Sequence, residues 1–325
     1  MAVKIARIAA GIVMLAALFY FRLIDLAELR KALAHPVLLG VSALACMATI
    51  PTTGLRWHLL LRSQGLILHV WQTIRIVAMG AFFATFLPGA AGGDIVRGVY
   101  IYQASHGRRT SALLSIFIDR LLGVTAFVLF GFLATLTRSS ARYGALEYGI
   151  FALTALFLGG LVVLFLFGHR IAQLLNLVFV GRSRRLAWII DDAGEALRQY
   201  ARAWPSTMLA LGISLVTVFF VAFAVIAIAE ATQFGGLTTV EYGIAGVYAM
   251  IANSLPLTPG GLGIGEGAFA SACVALEPAT AGIPYGTIFL VFRCVVVIST
   301  LPGLIVYLIY PQRAQLLTPV NNPNS

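Results

Sequence analysis

Charge is what this sequence has least of. Only 10% of its 325 residues are charged, against about 25% in soluble domains. So few charges cannot cover a water-facing surface, which excludes a soluble globular protein. Lysine is nearly missing, with Lys4 and Lys31 the two examples among 22 basic residues. The formal net charge of +10 therefore rests on arginine. Those arginines punctuate the chain between apolar runs and form no clustered patch, so nucleic-acid binding is not expected. Cysteine is sparse as well. Cys46, Cys273 and Cys294 sit in apolar stretches without ligand spacing, and the five histidines are scattered at segment ends. Neither a disulfide framework nor a metal site is expected. The sequence also lacks a Gly-x-x-x-x-Gly-Lys-Ser/Thr loop, a Gly-x-Ser-x-Gly elbow and a His-Glu-x-x-His pair. Gly263-x-Gly265-x-Gly267 has the wrong spacing for a dinucleotide fingerprint. ATP hydrolysis by a phosphate loop is excluded, and no cofactor is expected.

What is present is apolar length. Hydrophobic residues make up 60% of the chain, and mean hydropathy is +0.94. Each membrane span needs about 20 apolar residues. Runs of that size occur at 5–24, 37–56, 110–136, 147–168, 205–229 and 285–310. The first follows Lys4 and Arg7 and ends in Phe19-Tyr20-Phe21-Arg22 without a small-residue cleavage site, so it reads as an uncleaved span. Two further runs, 73–88 and 240–257, end abruptly in proline and glycine. Proline removes a backbone donor and glycine loosens the chain, so both helices should break there. Broken backbone at membrane depth must be buried in protein or line a wet cavity.

The two breaks also look alike. Leu87-Pro88-x-x-x-Gly92-Gly93 superposes without gaps on Leu255-Pro256-x-x-x-Gly260-Gly261 at an offset of 168. Each is followed by a span with an arginine inside it, Arg120 or Arg293. Paired interruptions in two halves point to a transport site. Arg170, Arg182, Arg184, Arg185, Arg198 and Arg202 place 169–204 in the cytoplasm. If both broken segments are re-entrant, the two termini lie on that side too, while Arg22, Arg30, Lys31, Arg138 and Arg142 fall near the outer face. The hairpin 73–106 then enters from the cytoplasm and 240–277 from outside. The predicted fold is an all-α polytopic membrane protein: about six full spans plus two re-entrant helical hairpins in an inverted repeat. One membrane domain covers 1–310, with halves at about 37–136 and 205–310. Residues 170–204 read as interfacial amphipathic helices, with Leu186, Ile189, Ile190, Ala193 and Leu197 on one apolar face. Residues 311–325 read as a disordered tail. Trp57, Trp71, Trp188 and Trp204 are placed as belt aromatics at span ends.

Ionisable residues inside spans are costly and mark functional sites by default. They are Asp94, Arg97, Asp119, Arg120, Glu266 and Arg293. Arginine offers a planar fork of donors suited to phosphate or carboxylate. Glycines after each break would let an anion approach backbone N–H groups. The alternative use of the same residues is internal pairing, Asp94 or Asp119 with Arg120 and Glu266 with Arg293. Asp191-Asp192 matches the acidic pairs of metal-dependent glycosyltransferases but sits in a solvated helix, which disfavours that chemistry.

Gly54-Leu55-Arg56-Trp57, Phe86-Leu87-Pro88-Gly89 with Gly92-Gly93-Asp94-Ile95-Val96-Arg97, and Asp119-Arg120-Leu121-x-Gly123 carry a resemblance. Asn253-Ser254-Leu255-Pro256, Pro259-Gly260-Gly261-Leu262-Gly263, Glu266 and Arg293 extend it over about residues 5–310. The chain resembles the flippase-like membrane domain of lysylphosphatidylglycerol synthases. That resemblance implies a lipid translocase of the bacterial inner membrane, not an enzyme, since nothing after Pro311 matches the aminoacyl-transferase domain. It implies binding residues Arg56, Asp94, Arg97, Asp119, Arg120, Glu266 and Arg293, with Asn253, Gly92, Gly93, Gly260 and Gly261 beside them. The expected substrate is a lipid with a phosphate headgroup, held in a central cavity shared by Arg120 and Arg293. Expected protein partners are a second copy or a separate lipid-modifying enzyme. Three rival readings remain open: a membrane transferase acting on polyprenyl-phosphate lipids, a transporter of an uncharged lipid such as a hopanoid, and a membrane accessory subunit without transport of its own.

Overall fold

A computed structural model describes residues 33–86, 92–105, 109–137, 144–179, 184–254, 258 and 261–310. The expected first span, the tail, residues 87–91 and Gly260 lie outside these residues. Among the described residues all regular structure is helical. The order is α1 (Pro36–Ser63), α2 (Val70–Phe86), α3 (Gly92–Ala104), α4 (Arg109–Leu136), α5 (Ala145–Phe179), α6 (Arg184–Arg202), α7 (Trp204–Thr232), α8 (Thr239–Asn253), α9 (Ile264–Leu276) and α10 (Gly286–Ile309). One turn of 3-10 helix, Pro278–Thr280, joins α9 to α10. Starts follow local chemistry. Proline opens α1 where its missing N–H costs nothing. Thr238 and Glu241 form a reciprocal capping box at the start of α8.

Five helices among the described residues are long and apolar enough to cross a membrane: α1, α4, most of α5, α7 and α10. Large apolar side chains such as Leu156, Leu166, Leu209 and Leu308 face outward, while Ser42, Ser115, Asp119, Ser214 and Glu266 are buried. A water-soluble protein would invert that arrangement. The chain is a polytopic helical membrane protein.

The other helices are short. α2, α3, α8 and α9 have 17, 13, 15 and 13 residues, or about 20–26 Å at 1.5 Å per residue. None reaches across a hydrocarbon layer of about 30 Å. α2 and α3 run antiparallel. Gly93 of α3 faces Gly80 and Ala84 of α2, and Gly80 in turn faces Arg97, so the register climbs one helix as it descends the other. A Cβ on Gly93 would collide with the Gly80 carbonyl oxygen, so these two backbones can meet only through glycine.

The sequence of lengths, long–short–short–long, occurs twice: α1 to α4 and α7 to α10. Packing is reciprocal. α4 packs on α8, and α10 packs on α2; α1 packs on α10, and α4 packs on α7. α1 and α7 pack most extensively and run antiparallel. Ser42 Oγ donates to Ala224 O (3.1 Å), Thr217 Oγ1 to Thr52 Oγ1 (2.9 Å), and Arg56 Nη1 to Ser214 Oγ (3.2 Å). The same order of lengths and the same pairwise contacts thus recur in 36–136 and 204–309, with α1 and α7 antiparallel.

The region from 170 to 204 departs from expectation. His169-Arg170 does not end the helix: α5 continues unbroken to Phe179. Polar side chains do not stop a helix whose backbone has a neighbour to pack on, and α6 is that neighbour. Gly168 lies against Leu197 and Gly194 against Ala172, an antiparallel contact. Leu197 and Tyr200 of α6 are buried with Leu60, Ile118 and Leu161. Ile189, expected on the apolar face, is 45% exposed.

Opposite entry of the two hairpins is testable by labelling in a background with the native cysteines replaced. Trp71→Cys and Gln103→Cys should react with an impermeant thiol reagent from the same face, and Thr239→Cys and Ala279→Cys from the other. Labelling of Trp71→Cys and Gln103→Cys from opposite faces would show a plain crossing instead.

Candidate functional site

Asp119 of α4, 1% exposed, accepts two guanidinium groups: Arg56 Nε of α1 at Oδ1 (2.6 Å) and Arg97 Nη2 of α3 at Oδ2 (2.8 Å). Arg56 lies directly over Gly123, whose missing side chain leaves room for it. The Arg97 guanidinium stacks 4.3 Å from the centre of the Trp57 ring, and Trp57 Nε1 donates to Ser115 Oγ (3.1 Å). Trp57 is therefore no belt residue; it is fully buried beneath a cation. Trp71 and Trp204, by contrast, are exposed at helix starts as expected.

The chain of charges continues outward. Arg97 Nη1 reaches Asp94 Oδ1 at 3.5 Å, and Arg120 Nη1 donates to Asp94 Oδ2 at 2.7 Å. Arg120 Nη2 also donates to the Ser254 carbonyl (3.3 Å). Asp119 and Arg120 are consecutive, so on a helix they point about 100° apart. That is why Asp119 pairs with Arg56 and Arg97 and leaves Asp94 to Arg120. Among the described residues three guanidinium groups thus meet two carboxylates, a formal excess of one positive charge. Arg97 Nε is a buried donor without a partner among the described residues.

The second break builds a tighter arrangement. Arg293 of α10 donates from Nε to Glu266 Oε1 (2.6 Å) and from Nη2 to Glu266 Oε2 (3.1 Å), Gly261 O (3.0 Å) and Asn253 Oδ1 (3.4 Å). Glu266, fully buried, also accepts the Gly263 N–H (2.8 Å) at the start of α9. Gly261 holds φ +71 against the Asn253 side chain, a backbone that an L side chain would strain. Here one carboxylate matches one guanidinium. The two clusters approach each other at the C-terminal end of α8. Asn253 receives Arg293 while Ser254 receives Arg120, so the negative end of that helix faces both cations. Gly92 and Gly93 are buried at the start of α3.

Two cavities adjoin these clusters, where one shared cavity was expected. A cavity of about 620 Å³ lies between α3 and α4 and contains Asp94 and Arg120, with Ile95, Val99, Phe117 and Tyr102 along it. It opens to the outside of the helix bundle. A second, of about 590 Å³, lies among α1, α2, α7, α8 and α10, with Arg293 and Asn253 beside Thr49, Thr85, Ser299 and Phe289. Among the described residues Arg120 lines the first cavity and Arg293 the second. Sequence reasoning missed Trp57, Ser214 and the Ser254 carbonyl. Only tertiary contact identifies them, although Trp57 sits in the quoted Gly54-Leu55-Arg56-Trp57 motif.

Removing one partner of a buried ion pair strands the other and costs about 3–5 kcal/mol. Asp119→Asn, facing two arginines, should therefore lower the thermal midpoint of the detergent-purified protein far more than Ile95→Ala on the exposed edge of the outer cavity. Equal midpoints for Asp119→Asn and the unmodified protein would show that the clamp does not hold α1, α3 and α4 together.

Among known proteins, residues 4–306 match the family described as the lysylphosphatidylglycerol synthase TM region. No curated protein and no solved structure matches the chain. The family match takes in both breaks and every charged residue of the two clusters. The chain belongs to the lysylphosphatidylglycerol synthase transmembrane-region family.

Proposed function

We propose that this protein is a lipid translocase of a bacterial inner membrane, moving an anionic, phosphate-containing lipid between leaflets without ATP hydrolysis. Membership of a lipid-synthase membrane-domain family supports a lipid-related role. The observation that carries the finer reading is the Asp94–Arg120 pair. Its side chains are 25% and 35% exposed, far more than the Asp119 clamp, and they border an apolar cavity open to the side. An arginine at the bilayer centre costs at least about 2.5–3.5 kcal/mol. A phosphate entering there would take over part of the guanidinium fork and match the cluster's excess charge. Its acyl chains would stay on Ile95, Val99 and Phe117.

Asp94 then acts as a resident anion that the headgroup displaces from Arg120 and that returns when the lipid leaves. The Asp119 clamp keeps Arg56 and Arg97 fixed during the exchange. Arg293, with Asn253, offers a second cationic position in the inner cavity, reached past the end of α8. In this reading the arginine-bearing stretch between α5 and α7 lies in the cytoplasm together with both chain termini, as the positive-inside bias favours. Direction without ATP would come from a lipid gradient, ion coupling or the membrane potential. A transferase would need a carboxylate available as general base. Asp94, Asp119 and Glu266 all accept guanidinium donors, which favours transport over chemistry.

Lysine keeps the charge of arginine but loses the planar fork. Losing one charged hydrogen bond of about 1.5–3 kcal/mol corresponds to at least about a tenfold change in binding. In reconstituted vesicles, Arg120→Lys should slow translocation of phosphatidylglycerol about tenfold, with Arg293→Lys slowed in the same direction. Equal rates for an uncharged lipid in the unmodified protein, with both lysine variants unaffected, would favour the hopanoid-type reading.

A further inference from the structure

A third cavity lies apart from both clusters. It measures about 310 Å³ and sits between the C-terminal part of α5 and the last turns of α6. Arg170, Arg198 and Arg202 line it together with His169, and Phe165 and Leu166 complete the wall. Three arginine side chains line a space small enough for one headgroup, and the Arg170 guanidinium lies 5.9 Å from the centre of the Phe167 ring. Arg198 and Arg202 are spaced i,i+4, where like charges destabilise a helix. The acidic contact at the rim is weak: Glu195 lies 3.9 Å from Arg198, with both side chains nearly half exposed. Asp191 and Asp192 lie further back along α6. An anion is the group whose arrival turns this repulsion into attraction.

Position says what kind of anion. Arg170 stands 25 residues beyond Ala145 in one continuous helix, about 37 Å along the axis. That exceeds a hydrocarbon thickness of about 30 Å, so a span that begins at Ala145 brings Arg170 to headgroup level. On the same helix Val162, Val163, Leu166 and Phe167 are exposed. They form an apolar strip running from the cavity toward the bilayer middle, where acyl chains would lie. Basic pockets at the cytoplasmic membrane surface are suited to anionic lipid headgroups.

We propose that the α5–α6 cavity binds the phosphate of an anionic phospholipid, as a fixed site distinct from the groove at Asp94–Arg120. The bound lipid ties α6 to the membrane surface and to α5. This site does not depend on the translocation reading, because none of its residues touches the two charged clusters.

The test counts phosphatidylglycerol molecules retained by the full-length protein after transfer from mixed vesicles into neutral detergent, using native mass spectrometry. Retention should fall by one tightly held lipid in Arg198→Gln/Arg202→Gln and stay unchanged in Arg62→Gln, an exposed arginine elsewhere. The same loss should appear in an Arg120→Lys background, which separates failure at this site from failure of the groove. Phosphatidylcholine should not substitute. Arg198→Lys/Arg202→Lys, which keeps the charge on α6, should show intermediate retention and covers the case in which the glutamine variant does not fold. Unchanged retention in the folded variants would overturn the proposal. So would displacement of the lipid by inorganic phosphate at matching concentration, which would assign the cavity to a soluble anion.

Discussion

A guanidinium group buried in a bilayer must meet a carboxylate or a carbonyl, and this requirement decides which helices of the protein touch. Asp119 meets it twice. By accepting Arg56 and Arg97 it joins α1, α3 and α4 at one point, and Trp57 closes the Arg97 face that no oxygen reaches. Glu266 does the equivalent for α9 and α10 while also capping the start of α9. The cost of an uncompensated charge, several kcal/mol per ion, makes these contacts the least negotiable in the bundle. Apolar packing fills the space around them, with small residues wherever a cation or a second backbone must pass close, as at Gly123, Gly80 and Gly93.

Helix breaks serve the same requirement. A continuous α8 would bury its carbonyls in its own ladder. Ending at Asn253, it leaves the Ser254 carbonyl to Arg120 and the Asn253 side chain to Arg293. The two halves are therefore coupled through one helix terminus. A change in how Arg120 is held reaches Arg293 across a single peptide unit, although the two arginines line different cavities. In the proposed function this proximity is the route by which a headgroup would pass between the side-open groove and the bundle interior.

Much of this was legible before any coordinates. Apolar runs located the long helices because lipid demands an unbroken hydrophobic face. The Pro-Gly breaks located the short ones because no other residues interrupt a helix so cheaply. Intramembrane charges announced themselves by their rarity. Partner choice did not. Asp94 and Asp119 both lay within sequence reach of Arg120, and only helix rotation sends one to Arg120 and the other to Arg56 and Arg97. Trp57 read as a surface aromatic because burial beneath an arginine leaves no periodic signal. The end of α5 was misplaced because the packing of α6 on it overrides the polar His169-Arg170 boundary. The separation into two cavities likewise depends on which way Arg120 and Arg293 project, which spacing alone does not specify.

Arg120 is the proposed point of entry for a lipid phosphate into a charge cluster that holds one guanidinium group more than it has carboxylates. The most direct measurement is an experimental structure of the protein in nanodiscs containing phosphatidylglycerol. The account predicts phosphate density within hydrogen-bond distance of Arg120, with acyl density along Ile95, Val99 and Phe117 and with Asp94 moved off the Arg120 fork. Acyl density alone in that groove, with Asp94 still bonded to Arg120 at the full phosphatidylglycerol content, would contradict it.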